Sequence, residues 1–244
     1  MQSRLRWHEA WLAMSLMSLA TLATLAGCAT QPPKHGMAAE GGLRYLALGD
    51  SYTIGESVAP EARWPAQLAQ SLRAAGIAVG DPRIIATTGW TTDELDAAID
   101  AAQPASDFDL VSLLIGVNNQ YRGRDVGNYR KEFTALLERA IGFAGGRSDR
   151  VLVLSIPDWG VTRFGRGSGR DTTTIARELD AYNAAAREIC DARHVTFADI
   201  TPVSRQHGAE PAMLADDGLH PSAPMYSEWT RVALPVAQRL LTPQ

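Results

Sequence analysis

The strongest constraint on the fold is an alternation of short apolar runs with helical segments, which extends from Leu43 to Leu241. Several of the runs are almost continuously apolar, as strands are when helices cover both faces of a sheet. Such alternation indicates a parallel sheet inside a three-layer α/β/α sandwich. The predicted strands are Arg44–Leu48, Arg83–Thr87, Leu110–Ile115, Val151–Ile156 and Val195–Asp199, and the predicted helices are Trp64–Ala75, Thr92–Ala102, Tyr129–Phe143, Thr173–Ala192 and Tyr226–Leu241.

Right-handed crossovers restrict the topology, and a flavodoxin-like five-stranded sheet of order 2-1-3-4-5 is the preferred prediction. In that order, ligands bind at the carboxyl ends of strands one and three, where the winding direction changes. Ser51 follows strand one, Gly89 follows strand two and Asn118 follows strand three. The sequence therefore predicts that these three loops converge on one crevice.

Ser51 and His220 are the candidate reactive residues. A serine hydroxyl becomes a useful nucleophile when an imidazole takes its proton. Asp217 precedes His220 by three residues, about one helical turn, so both side chains are expected on one face. A carboxylate there orients the ring and leaves the other nitrogen free to face the serine. The alternatives are a Ser51 that only caps a helix, a surface Asp–His pair, or a structural histidine before Pro221.

The other histidines of the domain are weaker candidates for the base. His207 has Ser204 three residues before it, not an acid. His194 does have Asp191 at this spacing, but it precedes strand five and so belongs to the amino ends of the parallel strands.

The motifs Gly49-Asp50-Ser51, Gly89, Gly116-x-Asn118 and Asp217-x-x-His220, in this order, resemble the SGNH/GDSL hydrolase family. The resemblance implies a serine hydrolase that acts on esters without metal or cofactor. It implies Ser51 as nucleophile, His220 as general base and Asp217 as the orienting acid. The backbone of Ser51 and Gly89, with the Asn118 side chain, is implied to form the oxyanion hole.

Two features separate this chain from related patterns. The family commonly has Asp after the Asn, whereas this chain has Asn119, and we expect this to change local loop hydrogen bonding without abolishing catalysis. Thr53 stands where the α/β-hydrolase elbow Gly-x-Ser-x-Gly requires its last glycine, which disfavours that family.

Aromatic and basic residues follow several predicted strands. Trp90, Tyr121 and Trp159 are candidates to line an acyl or sugar pocket, with core packing as the alternative. The segment 161–171 is rich in Gly and Arg, and we interpret it as a solvated flexible loop. The alternatives are a mobile lid, or arginines that meet an anionic substrate or lipid head group.

The amino-terminal 27 residues read as a secretory leader, since Arg4 and Arg6 precede an uncharged apolar run from Ala10 to Ala26. Leu25-Ala26-Gly27-Cys28 resembles the signal of bacterial lipoproteins, which implies cleavage before Cys28 and lipidation of its sulfur. A flexible tether over residues 28–42 would then precede a hydrolase domain over residues 43–244. The expected location is the bacterial cell envelope, on the periplasmic side of the outer membrane. Cys190 is expected to be a small buried residue.

These features favour an envelope serine esterase with an acyl-enzyme on Ser51. A short-acyl ester or an O-acetylated sugar is the preferred substrate, and a lysophospholipid and a thioester are the alternatives. The expected partners are a small-molecule, glycan or lipid ester and a membrane reached through the lipid anchor. A net charge of −4 without a basic block disfavours nucleic acid, and no metal or cofactor is expected. The rival prediction is a non-catalytic envelope lipoprotein that binds glycans or acyl chains in the same crevice.

Overall fold

The sheet has five parallel strands, and the predicted order is confirmed. The computed structural model describes residues 42–242. In this part of the chain the strands, numbered as they follow in sequence, lie side by side in the order 2-1-3-4-5. Leu48 of the first strand lies between Ile85 and Leu113 of its two neighbours. The strands are β1 (Tyr45–Gly49), β2 (Arg83–Ala86), β3 (Leu110–Leu114), β4 (Val151–Leu154) and β5 (Thr196–Ala198).

Helices flank the sheet on both faces, as the α/β/α prediction requires. The helix Trp64–Ala74 packs against the helix Ala223–Leu241. On the other side, the helix Val126–Phe143 packs against both Thr92–Ala102 and Thr172–Ala192. Two separate helical layers therefore cover the strands, which is why every residue of β1, β3 and β4 is buried. The helices are α1 (Ser51–Ile54), α2 (Trp64–Ala74), α3 (Thr92–Ala102), α4 (Val117–Tyr121), α5 (Val126–Phe143), α6 (Arg163–Gly167), α7 (Thr172–Ala192), α8 (Thr201–His207) and α9 (Ala223–Leu241).

The long helices agree with the sequence pattern except at their amino ends. The helix α5 begins at Val126, before the predicted Tyr129, because the Asp125 carboxylate caps it by accepting the N–H of Asn128 at 2.9 Å. The helix α9 begins at Ala223, before the predicted Tyr226. The sequence pattern missed the short helices α1, α4, α6 and α8, because four to seven residues are too few to show helical periodicity.

Burial of Cys190 is confirmed, since the residue lies on the core-facing side of α7 and has no exposed surface. Burial also raises the pKa of its thiol to about 12, so the group is protonated at neutral pH. None of the helices between residues 42 and 242 is both long and apolar enough to cross a bilayer. The predicted leader, Cys28 and the tether up to residue 41 lie outside the described residues.

Candidate active site

The loops after β1, β2 and β3 meet at one end of the sheet around a cavity of about 210 Å³. We call this space the serine cavity, because Ser51 lines it together with His220, Gly89 and Asn118. Four of the sequence-predicted site residues thus come from distant parts of the chain to one surface. Ser51, Gly89 and Asn118 lie at the carboxyl ends of the first three strands, where the winding of the sheet changes direction.

Ser51 reaches the serine cavity because the chain turns sharply at the end of β1. A Cβ atom on Gly49 would lie 2.2 Å from Thr53 Oγ1 and 2.5 Å from the Leu114 carbonyl oxygen, so only glycine fits there. The Asp50 carboxylate caps α1 by accepting the N–H of Tyr52 at 3.0 Å. Ser51 is therefore the first residue of α1 and not its cap, and its hydroxyl is left to the cavity.

Asp50 is the buried anchor of this turn. The residue has no exposed surface, and burial raises the pKa of its carboxyl to about 7, although the backbone hydrogen bonds that it accepts lower it in part. Its Oδ2 atom has no hydrogen-bond partner among the described residues. The carboxyl is thus held by Oδ1 alone, directly beneath the first turn of α1.

Asp217 and His220 lie on a tight turn, not on the helical turn that their spacing predicts. The turn still joins them, because Asp217 Oδ1 accepts the N–H groups of Leu219 at 2.8 Å and His220 at 2.9 Å. Its second oxygen, Oδ2, lies 2.7 Å from His220 Nδ1. Gly218 makes the turn feasible, since its φ of +71° is costly for other residues.

The surroundings keep the Asp217 carboxylate ionised. Partial burial acts to raise its pKa, but hydrogen bonds from the His220 ring and from two backbone N–H groups outweigh burial and lower the pKa to about 2. Ser57, which lies after α1, adds a hydroxyl donor at 3.1 Å from Oδ2. With Nδ1 engaged by Asp217, Nε2 is the ring nitrogen of His220 that is left to act on the cavity.

Gly89 and Asn118 stand on loops that are tied to each other. Gly89 has a φ of +88° in a turn that the Trp90 N–H closes onto the Thr87 carbonyl at 3.3 Å. The Gly89 carbonyl accepts from Arg122 at 2.7 Å, and Asn118 Nδ2 donates to the Trp90 carbonyl at 2.9 Å. An amide nitrogen carries two hydrogens, so Asn118 retains a second N–H for a ligand in the cavity.

Asn119 is fully buried and does not line the serine cavity. Its Oδ1 accepts the N–H of Thr92 at 3.0 Å, and its Nδ2 donates to the Thr92 hydroxyl at 2.6 Å. The Thr92 hydroxyl in turn donates to Glu132. The residue therefore ties the start of α3 to α4, and the effect of Asn in place of Asp at this position stays a prediction.

The aromatic residues around the serine cavity differ in part from the predicted set. Tyr121 and Trp159 line the cavity, with their rings edge to face at 5.4 Å. Trp90 is not among the lining residues, because its side chain packs against the hydrophobic core and only its carbonyl serves the site. Phe164 lines the cavity from α6, and the sequence pattern did not single it out.

The Gly/Arg segment 161–171 contains a helix and is not the solvated loop that we expected. Thr162 caps α6 by accepting the Gly165 N–H at 3.0 Å, and a Cβ atom on Gly165 would lie 2.2 Å from the Trp159 carbonyl oxygen. The Phe164 N–H donates to the Gly218 carbonyl at 3.0 Å. The segment therefore packs against the turn that carries Asp217 and His220.

A family model described as the GDSL-like lipase/acylhydrolase family matches residues 47–227. No curated protein sequence matches the chain. Among solved structures, a lipase/acylhydrolase from Enterococcus faecalis is similar with a TM-score of 0.62 and 22% identity, covering 83% of this chain and 99% of that one. The structure of TesA has a TM-score of 0.60 and 20% identity, with 81% and 99% covered.

A variant of Axe2, an acetyl xylan esterase from Geobacillus stearothermophilus, is also similar, with a TM-score of 0.56, 21% identity and coverage of 83% and 98%. At these identities the likeness to solved structures shows the fold alone. The match of the family model covers most of the folded domain, from within β1 to the first turn of α9. The chain belongs to the GDSL-like lipase/acylhydrolase family.

Proposed function

We propose that the protein is a serine esterase that forms an acyl-enzyme on Ser51. One observation supports this proposal above the others. Ser51 and His220 line the same cavity, and the Asp217 carboxylate lies 2.7 Å from Nδ1 of the His220 ring, which leaves Nε2 for the serine. This is the arrangement of nucleophile, base and orienting acid that activates a hydroxyl. Membership of an acylhydrolase family supports the same class of reaction.

In the proposed first step, His220 Nε2 takes the proton of the Ser51 hydroxyl as Oγ attacks the ester carbonyl carbon. The carbonyl oxygen becomes an oxyanion, which the N–H groups of Ser51 and Gly89 and the free Asn118 N–H stabilise. The bond to the alcohol oxygen then breaks, and His220 gives its proton to that oxygen. Water repeats the sequence on the acyl-enzyme and releases the acid.

The preference for a short acyl group rests on the size of the serine cavity. Its volume of about 210 Å³ is below the 300–1,000 Å³ typical of pockets for drug-sized ligands. Tyr121 at its edge is half exposed, and Phe164 is 38% exposed, so a ring in the alcohol portion of the substrate can pack on these side chains outside the cavity. We therefore propose short-acyl esters, with O-acetylated sugars included, as the substrate class. The acetyl xylan esterase among the structural relatives is consistent with this choice.

Hydrolysis of p-nitrophenyl acetate, butyrate and octanoate by the purified full-length protein tests this proposal. Ser51→Ala should lower kcat/KM by about 10⁴-fold or more. Thermal stability should stay within about 1 kcal/mol, because the hydroxyl caps no helix. The wild-type kcat/KM should be higher for the acetate and butyrate esters than for the octanoate ester. Equal rates for wild type and Ser51→Ala on all three esters would instead favour the non-catalytic binding protein.

We also propose that the protein is an envelope lipoprotein anchored through Cys28. The support is the leader and its cysteine in the sequence alone. Expressed at full length, the protein should fractionate with membranes, and Cys28→Ser should move it to a soluble or unprocessed form. Mass spectrometry of the amino-terminal peptide provides the direct measurement. An unmodified Cys28 on a membrane-free wild-type protein would contradict the proposal.

A further inference from the structure

A second cavity of about 450 Å³ lies beside the serine cavity, and its residues include Arg163, Arg166, Asp216 and Gly218. We call it the arginine cavity. Two residues of the arginine cavity are sequence neighbours of residues that line the serine cavity: Arg163 precedes Phe164, and Gly218 precedes Leu219. Consecutive Cα atoms are about 3.8 Å apart. The helix α6 and the Asp217–His220 turn therefore separate two adjacent cavities.

Arg163 is held in place by this turn. Its Nη2 donates to the Asp216 carbonyl at 2.8 Å. Its guanidinium also covers Gly218 so closely that a Cβ atom there would lie 2.5 Å from Nε and 2.8 Å from Nη2. The planar group thus keeps its other N–H donors in a fixed orientation. Such preorganisation lowers the entropy cost of binding a carboxylate or phosphate.

Arg166 follows Arg163 by three residues, so the two side chains share one face of α6. Within residues 42–242, neither guanidinium has a carboxylate oxygen within 4 Å, whereas Arg170 nearby pairs with Glu178 at 2.7 Å. Asp216 is the carboxylate that lines the same cavity. Two positive charges and one negative charge leave the arginine cavity with a net positive charge, and no ion pair among residues 42–242 neutralises it.

The chemistry of ester cleavage decides which part of a substrate faces this cavity. The leaving alcohol oxygen must lie near His220 to receive its proton. The carbonyl oxygen must lie at Gly89 and Asn118, on the loops after β2 and β3. The alcohol portion therefore leaves the serine cavity on the side of His220, and the next residues along that turn, Leu219 and Gly218, lead to the arginine cavity.

We propose that the arginine cavity binds an anionic group, a carboxylate or a phosphate, carried by the alcohol portion of the ester substrate. This inference rests on the proposed esterase function and specifies its substrate class. The acyl group occupies the serine cavity, and the guanidinium groups of Arg163 and Arg166 hold the anion beyond the His220 turn. Neutral esters are then substrates that lack one of the two contacts.

Two esters that differ only in charge test the proposal: 4-carboxyphenyl butyrate and its neutral isostere 4-carbamoylphenyl butyrate. The measured quantity is kcat/KM for the carboxyphenyl ester divided by kcat/KM for the carbamoylphenyl ester, with the full-length protein. We expect a ratio about five- to tenfold lower in Arg166→Gln than in the wild type, as for a partly exposed charge-assisted contact. Asp216→Asn should raise the ratio. Because the site is open to water, 0.5 M salt should lower the wild-type ratio.

Arg239→Gln is the matched control, since Arg239 is an exposed arginine on α9 and does not line the arginine cavity. It changes the net charge equally and should leave the ratio at the wild-type value. A ratio in Arg166→Gln equal to that of the wild type would overturn the proposal. An equal fall in Arg239→Gln would also overturn it, by showing a general effect of charge.

A binding measurement separates this proposal from the esterase function on which it rests. Isothermal titration of the Ser51→Ala protein with 4-hydroxybenzoate and 4-hydroxybenzamide needs no turnover. Tighter binding of the benzoate, lost on adding Arg166→Gln, would support the anion site even if no ester were cleaved. Equal affinity for the two compounds would refute the anion site, whatever the esterase assays show. A phosphate in place of the carboxylate, as 4-hydroxyphenyl phosphate, determines which of the two anions fits better.

Discussion

Two histidine–carboxylate pairs in this protein have almost the same local geometry. His220 Nδ1 lies 2.7 Å from Asp217, and His207 Nδ1 lies 2.8 Å from Glu210, and in each pair the partners are three positions apart in sequence. His220 lines the serine cavity beside Ser51, whereas His207 ends α8 and lines no part of that cavity. The local pair alone therefore does not define the site, and what distinguishes His220 from His207 is that only His220 lines the serine cavity with Ser51.

The carboxylates also differ in how they are held. Asp217 accepts two backbone N–H groups and the Ser57 hydroxyl besides the His220 ring. Glu210 has a side chain 53% exposed, against 34% for Asp217. A longer, more exposed side chain loses more conformational freedom when it is fixed, so Glu210 orients its histidine less firmly. The candidate site thus combines position with a rigid support.

The largest expected effect separates the two histidines. His220→Ala should lower kcat/KM on p-nitrophenyl butyrate by about 10⁴-fold, because the serine loses its base. His207→Ala should stay within about twofold of the wild type. The two variants are compared at equal concentrations after a check of folding by circular dichroism. Similar losses in both would show that the pairs are equivalent and would contradict the assignment of His220 as base.

The carboxylates should differ in the same direction. Asp217→Asn should lower kcat by about 10³–10⁴-fold, since an amide favours the wrong ring tautomer of His220. Glu210→Gln should leave kcat within about twofold. Initial rates at saturating ester measure both, and a small effect of Asp217→Asn would show that His220 needs no orienting carboxylate.

The lowered pKa of Asp217 also predicts a pH dependence of stability. A carboxyl whose pKa falls to about 2 on folding, from its ordinary value of 3.8, stabilises the folded state when it is ionised. This contribution is fully present above about pH 4 and is lost as the pH falls towards 2. Urea unfolding of wild type and Asp217→Asn at pH 3 and pH 6 measures it. The stability difference between the two proteins should be smaller at pH 3.

Two adjacent asparagines repeat the contrast between position and local chemistry. Asn118→Ala should lower kcat by about 10²–10³-fold with little loss of stability, because it removes an oxyanion donor. Asn119→Ala should do the reverse, since it leaves the buried Thr92 N–H without its acceptor at a cost of about 1–3 kcal/mol. Steady-state kinetics and urea unfolding on both variants measure the contrast. A loss of stability in Asn118→Ala that exceeds the loss in Asn119→Ala would contradict it.

The sequence was sufficient for the strand order because the apolar runs and their connections leave few right-handed topologies. It was also sufficient to bring Ser51, Gly89, Asn118 and His220 to one cavity, since all follow from that strand order or from a motif. The role of each residue stays a prediction until variants are measured. The pairing of His207 with Glu210 was not predicted, because Glu210 follows its histidine in sequence whereas Asp217 precedes His220.

Other features depend on packing and had no local signal. Phe164 lies in the helix α6, whose five residues are too few to show periodicity. Its position beside Trp159 depends on packing against the turn at Gly218, which is distant in sequence. Trp90 is an aromatic residue just after a strand, which made it a candidate for the pocket. The turn at Gly89 instead directs its side chain to the core. Side-chain direction at a turn depends on φ and ψ, which residue identity alone does not fix.

The smallest expected effect concerns Ser57, which is 160 residues from Asp217 in sequence and donates to it at 3.1 Å. The Glu210 pair has no such third group among the described residues. Ser57→Ala should lower kcat by about two- to fivefold, because one hydrogen bond to a charged group is lost at a partly exposed site. KM should not change, since Ser57 does not line the serine cavity.

A structural effect of Ser57→Ala is separated from a positioning effect by the NMR signal of the His220 Nδ1 proton, which should shift when Asp217 is less firmly held. Ser57 has a φ of +66°, which glycine adopts without strain, so Ser57→Gly removes the same hydroxyl without straining the backbone and should shift the signal and lower the rate as Ser57→Ala does. Ser227→Ala is the matched control, since Ser227 also donates across 160 residues, to Gln67 at 2.7 Å, away from Asp217. An unchanged signal in Ser57→Ala would mean that the two backbone N–H groups alone hold the carboxylate.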